Sequence, residues 1–342
     1  MTRHFASDNN AGIHPEVMAA IATANHGHEP SYGGDSTTAL LAARCVEVFG
    51  ECVVFPVFSG TGANVAAVSS VLLPHEHVIS AQSAHINDDE GGATERFAGS
   101  KIIGLPTPDG KLTPELVEPF LHVEKDEHKT RPRVLSITQA TEWGTTYSLA
   151  EVRALADLAH GAGLVMHVDG ARIANAAAWL GCELAETTSA CGVDMLSFGG
   201  TKNGGLVAEA VIFFDASLSS YSRYTRIQAM QLASKMRFIS AQLLALLTDD
   251  LWRRNAQHAN AMTARLAAAI TGIAGVELVQ PVQANELFVR LPLEHVPEIM
   301  QHARFSIWRE HDTVARFVSS WDTTPDDVDG LAGAIATALA RS

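Results

Sequence analysis

The chain has 342 residues, 47% of them hydrophobic, enough for one large core and a smaller one and too apolar for a disordered chain. Against 24 Lys+Arg stand 38 Asp+Glu, a formal net charge of −14 that argues against general nucleic-acid or anionic-membrane binding. No apolar run reaches the roughly 18 residues of a membrane span, the N-terminus lacks the apolar stretch of a signal peptide, and Cys45, Cys52, Cys182 and Cys191 form no CxxC pair, so a cytoplasmic protein with reduced, buried thiols is expected.

Residues 1–14 read as an extended arm ending in a turn. Helical spacing begins at Pro15, a residue suited to a first helical position, and runs to about residue 23. Tyr32-Gly33-Gly34-Asp35-Ser36-Thr37 is a loop in which Ser36 or Thr37 would cap a helix over 38–49. Residues 53–58 read as a strand, and Ser59-Gly60-Thr61-Gly62-Ala63-Asn64 leads into a helix of small apolar residues over 63–72. A short buried strand at 78–80 precedes a polar segment, 84–92, that opens another helix. A strand at 102–105, a helix at 113–122 and a charged, solvated loop at 124–129 follow. Then come a strand at 134–138, an amphipathic helix at 148–162 stopped by Gly163, and a strand at 164–169 that ends in Asp169. A helix at 171–180 and strands at 194–198 and 210–214 complete the alternation.

Short apolar strands between helices, buried on both faces, indicate an α/β domain with a mostly parallel sheet. From about 225 to 270 the pattern is long and helical. After Gly275, strands at 276–279, 286–291 and 314–319 alternate with two helices, forming a smaller α+β unit. The expected division is an arm at 1–14, a large domain at 15–245 and a small C-terminal domain at 246–342.

Four places carry candidate chemistry. Ser197-Phe198-Gly199-Gly200-Thr201-Lys202-Asn203-Gly204-Gly205 ends a strand in a loop with four glycines around one lysine. Such a loop brings backbone close to a ligand, and an amine in a partly dry pocket loses its proton more easily and can form a Schiff base with an aldehyde. A solvated surface turn is the plainer alternative. Ser59-Gly60-Thr61-Gly62 sits between strand and helix, where free N–H groups and the helix dipole favour an anion. It matches neither GxGxxG nor GxxxxGK[ST], so a single phosphate is expected if the turn is more than structural. Asp169 lies at the carboxyl end of its strand, where open α/β sheets place ligand groups. It suits a cationic ring nitrogen, or simply caps a helix. His85 would stack on a flat ring, or serve as an ordinary structural histidine.

Phosphate-type loop, strand-end acid and glycine-flanked lysine, in that order, satisfy a phosphorylated pyridine aldehyde. The motifs Ser7-Asp8-Asn9, Tyr32-Gly33, Ser59-Gly60-Thr61-Gly62-Ala63-Asn64, His85 with Glu90-Gly91-Gly92-Ala93, His167-Val168-Asp169-Gly170-Ala171-Arg172 and Ser197 to Gly204 resemble those of the low-specificity L-threonine aldolases. These belong to the fold type I, aspartate-aminotransferase-like class of pyridoxal 5'-phosphate enzymes, and the resemblance spans nearly the whole chain.

The resemblance implies a role for each matching residue. Lys202 would hold the cofactor aldehyde with Thr201 beside it, Asp169 the ring nitrogen, His85 the ring face, and Gly60 and Thr61 the phosphate. Ser7, Arg172 and Arg316 would bind the carboxylate of a small amino-acid substrate. Arg237 would reach a phosphate across a subunit boundary, with Tyr32 and Lys235 lining the pocket from the same neighbour in a homotetramer. The expected reaction is retro-aldol cleavage of a β-hydroxy-α-amino acid, with His85 or Glu90 as candidate base. One departure stands out. Where some members carry a histidine, the loop after strand 134–138 reads Gln139-Ala140-Thr141-Glu142-Trp143-Gly144. Competing expectations are another fold type I enzyme, such as a β-eliminating lyase or aminotransferase, a silent cofactor-binding regulator, and a metal-dependent hydrolase built on His75-Glu76-His77.

Overall fold

The computed structural model describes residues 4–121, 126–309 and 314–340. The first three residues of the expected arm, the end of the helix expected at 113–122 and the start of the charged loop at 124–129 lie outside them. The larger sheet contains β1 (Val53–Val57), β2 (Glu76–Ala81), β3 (Lys101–Leu105), β4 (Arg131–Thr138), β5 (Val165–Gly170), β6 (Met195–Gly199) and β7 (Glu209–Phe213), in the order β1-β7-β6-β5-β4-β2-β3. From β6 through β5, β4 and β2 to β3 the pairing is parallel. β7 runs antiparallel to both β6 and β1. Two reversals restore direction, so β1 points the same way as β6. The carboxyl ends of β1, β2, β4, β5 and β6 therefore open on one side, and the active-site segments follow those ends. β5, β6 and β7 are buried along their whole length, so they read as mostly apolar segments, and the polar residues in them, His167, Asp169, Ser197 and Glu209, are buried too.

The smaller sheet is antiparallel, β10-β11-β9-β8, with β8 (Glu277–Leu278), β9 (Glu286–Arg290), β10 (Ser306–Arg309) and β11 (Val314–Val318). β10 was not expected from the sequence. It is an edge strand paired only with β11, and it contributes just Ile307 and Trp308 as apolar residues. Helices Val296–His302 and Pro325–Leu339 close a second core around this sheet. Phe5, from the N-terminal arm, is buried in that core. Its N–H donates to Arg304 O at 2.7 Å, and Val318 N–H donates to its carbonyl at 2.8 Å.

The long helical stretch expected at 225–270 is three helices, Ser222–Gln228, Arg237–Leu246 and Leu251–Ile270. Met230 at φ 58° interrupts the first break, and Asp249 and Asp250, at φ 49° and 55°, turn the chain at the second. Side-chain periodicity does not register such backbone reversals. The helix after the loop at 32–37 is capped by Asp35 instead of Ser36 or Thr37: its carboxylate accepts the Thr38 N–H at 2.7 Å. The polar segment after β2 is a single turn, His85–Asp88, and a second helix, Ala93–Ala98, begins only after left-handed Gly91 and Gly92.

Candidate active site

One cavity opens at the carboxyl ends of the large sheet. It is lined by Gly60 and Thr61 after β1, His85 and Glu90 after β2, Asp169 and Arg172 after β5, and Lys202 after β6. Asn64, Thr138, Ala140, Glu142 and Ala171 complete the wall.

Helix Gly60–Ser69 starts at the cavity. Ser59 caps it, accepting the Gly62 N–H at 3.1 Å. The N–H groups of Gly60 and Thr61 thus face no earlier turn of helix, and a Cβ added at Gly60 would meet nothing within 4 Å. This end of the cavity has both the donors and the room that a phosphate needs.

The lysine loop is tied on several sides. Thr201 N–H donates to Glu209 Oε1 at 3.2 Å, and the Thr201 hydroxyl accepts the Ala208 N–H at 3.0 Å. Asn203 Nδ2 donates to Trp252 O at 3.0 Å, and Asn255 Nδ2 donates back to Asn203 O at 2.9 Å. Of the four glycines, Gly204 takes a positive φ, 103°, whereas Gly199 is required by close approach. A Cβ there would lie 2.6 Å from the Ala171 backbone. The loop after β6 is thereby pressed onto the loop after β5, which brings Lys202 and Asp169 into one cavity.

Asp169 is held at both oxygens. Oδ1 accepts the Ala171 N–H at 3.0 Å and Oδ2 accepts Asn64 Nδ2 at 2.8 Å. Behind it His167 is fully buried, with Nδ1 2.9 Å from Ser136 Oγ and Nε2 3.0 Å from Ser197 Oγ. Burial pulls the His167 pKa down to about 4, so the ring is neutral. The His85 ring is 3.0 Å from Glu90 Oε1, and that hydrogen bond, outweighing burial, pushes its pKa up. Glu209 is buried, and burial drives its pKa to about 7 in spite of its bonds to Thr201 and the charge of Lys202.

The arginines expected to meet a substrate carboxylate already have partners. Arg172 grips Asp8 with Nε and Nη2, at 2.8 and 3.0 Å, and its Nη1 is 3.6 Å from Glu286. Arg316 Nε donates to Glu286 Oε1 at 2.8 Å. Asn285 Nδ2 adds a bond to Asp8 at 3.0 Å. Burial opposes ionisation of Asp8, but the charge and forked bonds of Arg172 prevail, and Lys202 helps, so its pKa falls to about 2. Ser7 neighbours this network, and its hydroxyl accepts the Asn9 N–H at 3.2 Å.

Tyr32, Lys235 and Arg237 lie elsewhere on this chain. Lys235 and Arg237 line a groove with Gly27, His28, Pro30 and Ser31. Tyr32 is 57% exposed, and Arg237 Nη1 donates to His26 O at 3.0 Å. His77 stands at the amino end of β2, the far end of the sheet from the cavity, with Nδ1 3.0 Å from Thr130 Oγ1. Among the described residues no three His, Cys, Asp or Glu side chains converge as a metal cluster.

Sequence reasoning assigned no role to Asn64, Glu142, Glu209, Asp8 or Glu286. Asn64 had a visible signal, a lone amide in the apolar run Ala63-Asn64-Val65-Ala66-Ala67-Val68. Asp8 stood in the quoted motif Ser7-Asp8-Asn9 and Glu142 in the loop that departs from the family, whereas Glu209 and Glu286 had no signal; each acid gains its role from a partner distant in sequence.

Residues 4–293 match the family model described as beta-eliminating lyase. The chain is 43% identical over 340 residues to a low specificity L-threonine aldolase of Pseudomonas sp. (strain NCIMB 10558), covering 98% of this chain and 97% of that one. It is 42% identical over 337 residues to a low specificity L-threonine aldolase of Pseudomonas aeruginosa, covering 97% and 96%. The solved structure of a Leishmania major threonine aldolase superimposes with a TM-score of 0.93 at 30% identity, covering 98% of this chain and 99% of that one.

Proposed function

The chain belongs to the beta-eliminating lyase family, and on that premise we propose that it cleaves L-threonine, L-allo-threonine and related β-hydroxy-α-amino acids to glycine and an aldehyde, using pyridoxal 5'-phosphate. The observation that carries this reading is the meeting of Lys202, Asp169, His85 and the start of helix Gly60–Ser69 in one cavity. Threonine-cleaving relatives of nearly the same length support it.

The donor set fits that cofactor. A primary amine, a carboxylate for a ring nitrogen, an imidazole for a ring face and helix-start N–H groups for a phosphate are all present. Asn64 Oδ1, Glu90 Oε2 and Glu142 Oε2 are buried without a protein partner, so the wall has acceptors to spare for a bound molecule. When bound, pyridoxal phosphate supplies an aldehyde that links to amines and a cationic ring that takes up the electron pair of a breaking bond.

The residues of this chain divide the remaining work. Lys202 anchors the cofactor and is held in place by the Thr201–Glu209 and Asn203–Asn255 contacts. Asp169, fixed by Asn64 and Ala171, keeps a proton on the ring nitrogen. Arg172, Arg316 and Ser7 orient the substrate carboxylate, which joins a network already balanced by Asp8 and Glu286. The subunit arrangement belongs to the proposal too: a homotetramer in which Tyr32, Lys235 and Arg237 serve a neighbour's cavity. The position of Lys235 and Arg237 in a groove separate from their own cavity, with exposed Tyr32 next to its residues in sequence, supports it. A cytoplasmic location is consistent with four unpaired cysteines. No described helix is long and apolar enough to cross a membrane.

The test is an absorbance spectrum of the purified protein, followed by addition of threonine with assays for glycine and acetaldehyde. Lys202→Ala should lose the cofactor band and turnover together. Pyruvate and ammonia in place of glycine and aldehyde would mark an eliminating lyase instead, and wild-type turnover in the Lys202→Ala protein would refute the lysine's role.

A further inference from the structure

Glu142 has no task in the reading above, yet it stands in the cavity wall with His85, Glu90 and Lys202. Its segment is firmly built. Thr141 N–H donates to Thr145 O at 2.9 Å, and the Thr145 hydroxyl donates to Asp109 O at 2.7 Å. Gln139 brackets Tyr147, donating to its carbonyl at 2.9 Å and accepting its N–H at 3.0 Å. Next to Glu142, Trp143 is buried against Phe288, with ring centroids 5.2 Å apart. The Glu142 side chain is buried as well, so it cannot swing out to water.

The two oxygens of Glu142 differ. Oε1 accepts the His85 backbone N–H at 2.7 Å. Oε2 is buried and has no partner in the chain. A carboxylate oxygen left this way is costly until a ligand or water proton meets it. Burial, reinforced by the like charge of Asp169, pushes the Glu142 pKa up to about 7 against the pull of the His85 N–H and the nearby Thr138 hydroxyl. Around it stand His85 and Glu90 after β2, Asp169 and Arg172 after β5, Lys202 after β6, and Tyr147 on its own segment.

The other cavity carboxylates are more heavily engaged, although Glu90 Oε2, like Glu142 Oε2, is buried without a partner. Asp169 uses both oxygens. Glu90 Oε1 receives Asn64 Nδ2 at 2.9 Å and the His85 ring at 3.0 Å, and that hydrogen bond pushes the His85 pKa up. Glu90 Oε1 and His85 Nδ1 are thus occupied with each other.

We propose that Glu142 takes the proton of the substrate's β-hydroxyl during cleavage and returns it during condensation. The assignment rests on the proposed function. As the O–H bond breaks, the proton goes to Glu142 Oε2 and the O–H electron pair becomes the second bond of the aldehyde carbonyl. The Cα–Cβ pair would be taken up by the ring of bound pyridoxal phosphate, so no outside oxidant or reductant is needed. A group half-ionised near neutral pH suits both directions.

Glu142→Gln keeps an oxygen for the His85 N–H and removes the titrating one. In the holoenzyme, threonine cleavage should fall by about 100-fold or more. The cofactor absorbance and the exchange of glycine's α-hydrogen with D2O, followed by NMR, should stay within about threefold of wild type, because neither needs a β-hydroxyl base. The acidic limb of kcat/KM near pH 7 should vanish. Without cofactor, the variant should lose one of the two infrared carboxyl bands that titrate near pH 7, the other belonging to Glu209. Wild-type cleavage with an unmoved acidic limb would overturn the assignment. So would equal loss of cleavage and glycine exchange, which would mark Glu142 as a support for His85. If the wild-type protein itself releases no aldehyde from any β-hydroxy-α-amino acid, the proposed function falls and takes this assignment with it, a result distinct from any difference between the two proteins.

Discussion

The strand-end cavity and the ion network beside it share Arg172 but are assembled by different rules. In the cavity each key group follows its own strand: Thr61 after β1, His85 after β2, Asp169 at the end of β5, Lys202 after β6. Parallel pairing of β2, β4, β5 and β6, with the two reversals through β7 that realign β1, brings those ends to one side whatever the side chains are. The network is held by the side chains themselves. Asp8 comes from the N-terminal arm, Arg172 from the large sheet, and Glu286 and Arg316 from neighbouring strands of the small one. A buried guanidinium is tolerated only with close partners, because desolvation of an unpaired charge is severe. The cavity is thus a consequence of topology, and the network is a latch between two units that also carries the proposed carboxylate site.

Breaking the latch is expected to have the largest effect on folding. Asp8→Asn leaves Arg172 buried without its forked partner and should cost about 3–5 kcal/mol in urea denaturation at neutral pH. The wild-type latch should also be acid-sensitive. The Asp8 pKa is about 2 in the folded state and 3.8 ordinarily, so its contribution is present above about pH 4 and disappears as pH falls through about 2. If Asp8→Asn unfolds no more easily than wild type across that range, the network is not a latch.

Pressing on the cavity side should cost less. Gly199→Ala places a Cβ 2.6 Å from the Ala171 backbone and should destabilise by about 1–3 kcal/mol through overpacking. Cofactor binding should weaken with it, because the loops carrying Lys202 and Asp169 are pushed apart. A melting temperature and a cofactor titration measure the two effects, and unchanged values in both would show that this close approach is dispensable.

The smallest effect is a slope. The Glu209 pKa is raised to about 7 in the folded state from an ordinary 4.5. Stability from this group is therefore full below about pH 4.5 and is lost as pH rises through 7, with a slope of at most about 1.4 kcal/mol per pH unit. Glu209→Gln keeps an acceptor for the Thr201 N–H and should flatten stability over that window in the apoprotein. A slope identical to wild type would place the titration elsewhere.

Much of this architecture was legible along the chain, and particular residues show why. The apolar runs of β5 and β6, the glycines around Lys202 and the small residues after Ser59 are local signals. They mark strand ends and loops without reference to anything distant, and in a parallel sheet the strand ends converge. β10 was missed because an edge strand with two apolar residues has almost no pattern. The breaks at Met230 and Asp249–Asp250 were missed because backbone reversal leaves helical side-chain spacing largely intact.

The amino-acid order by itself determined the alternation of strands and helices, which follows from short-range periodicity and backbone freedom, while the grouping of Lys202, Asp169 and the helix start was read from the order of their motifs and a family resemblance. Tertiary structure alone decided which charges are paired and which protons are held. Asn64 and Asp169 are 105 positions apart, and Asp8 and Arg172 are 164 apart. Folding also buries Glu142, which lifts an ordinary acid into the neutral range. The ionisation of a side chain depends on the water it has lost and the charges that replace it, and neither exists until the chain has closed around it.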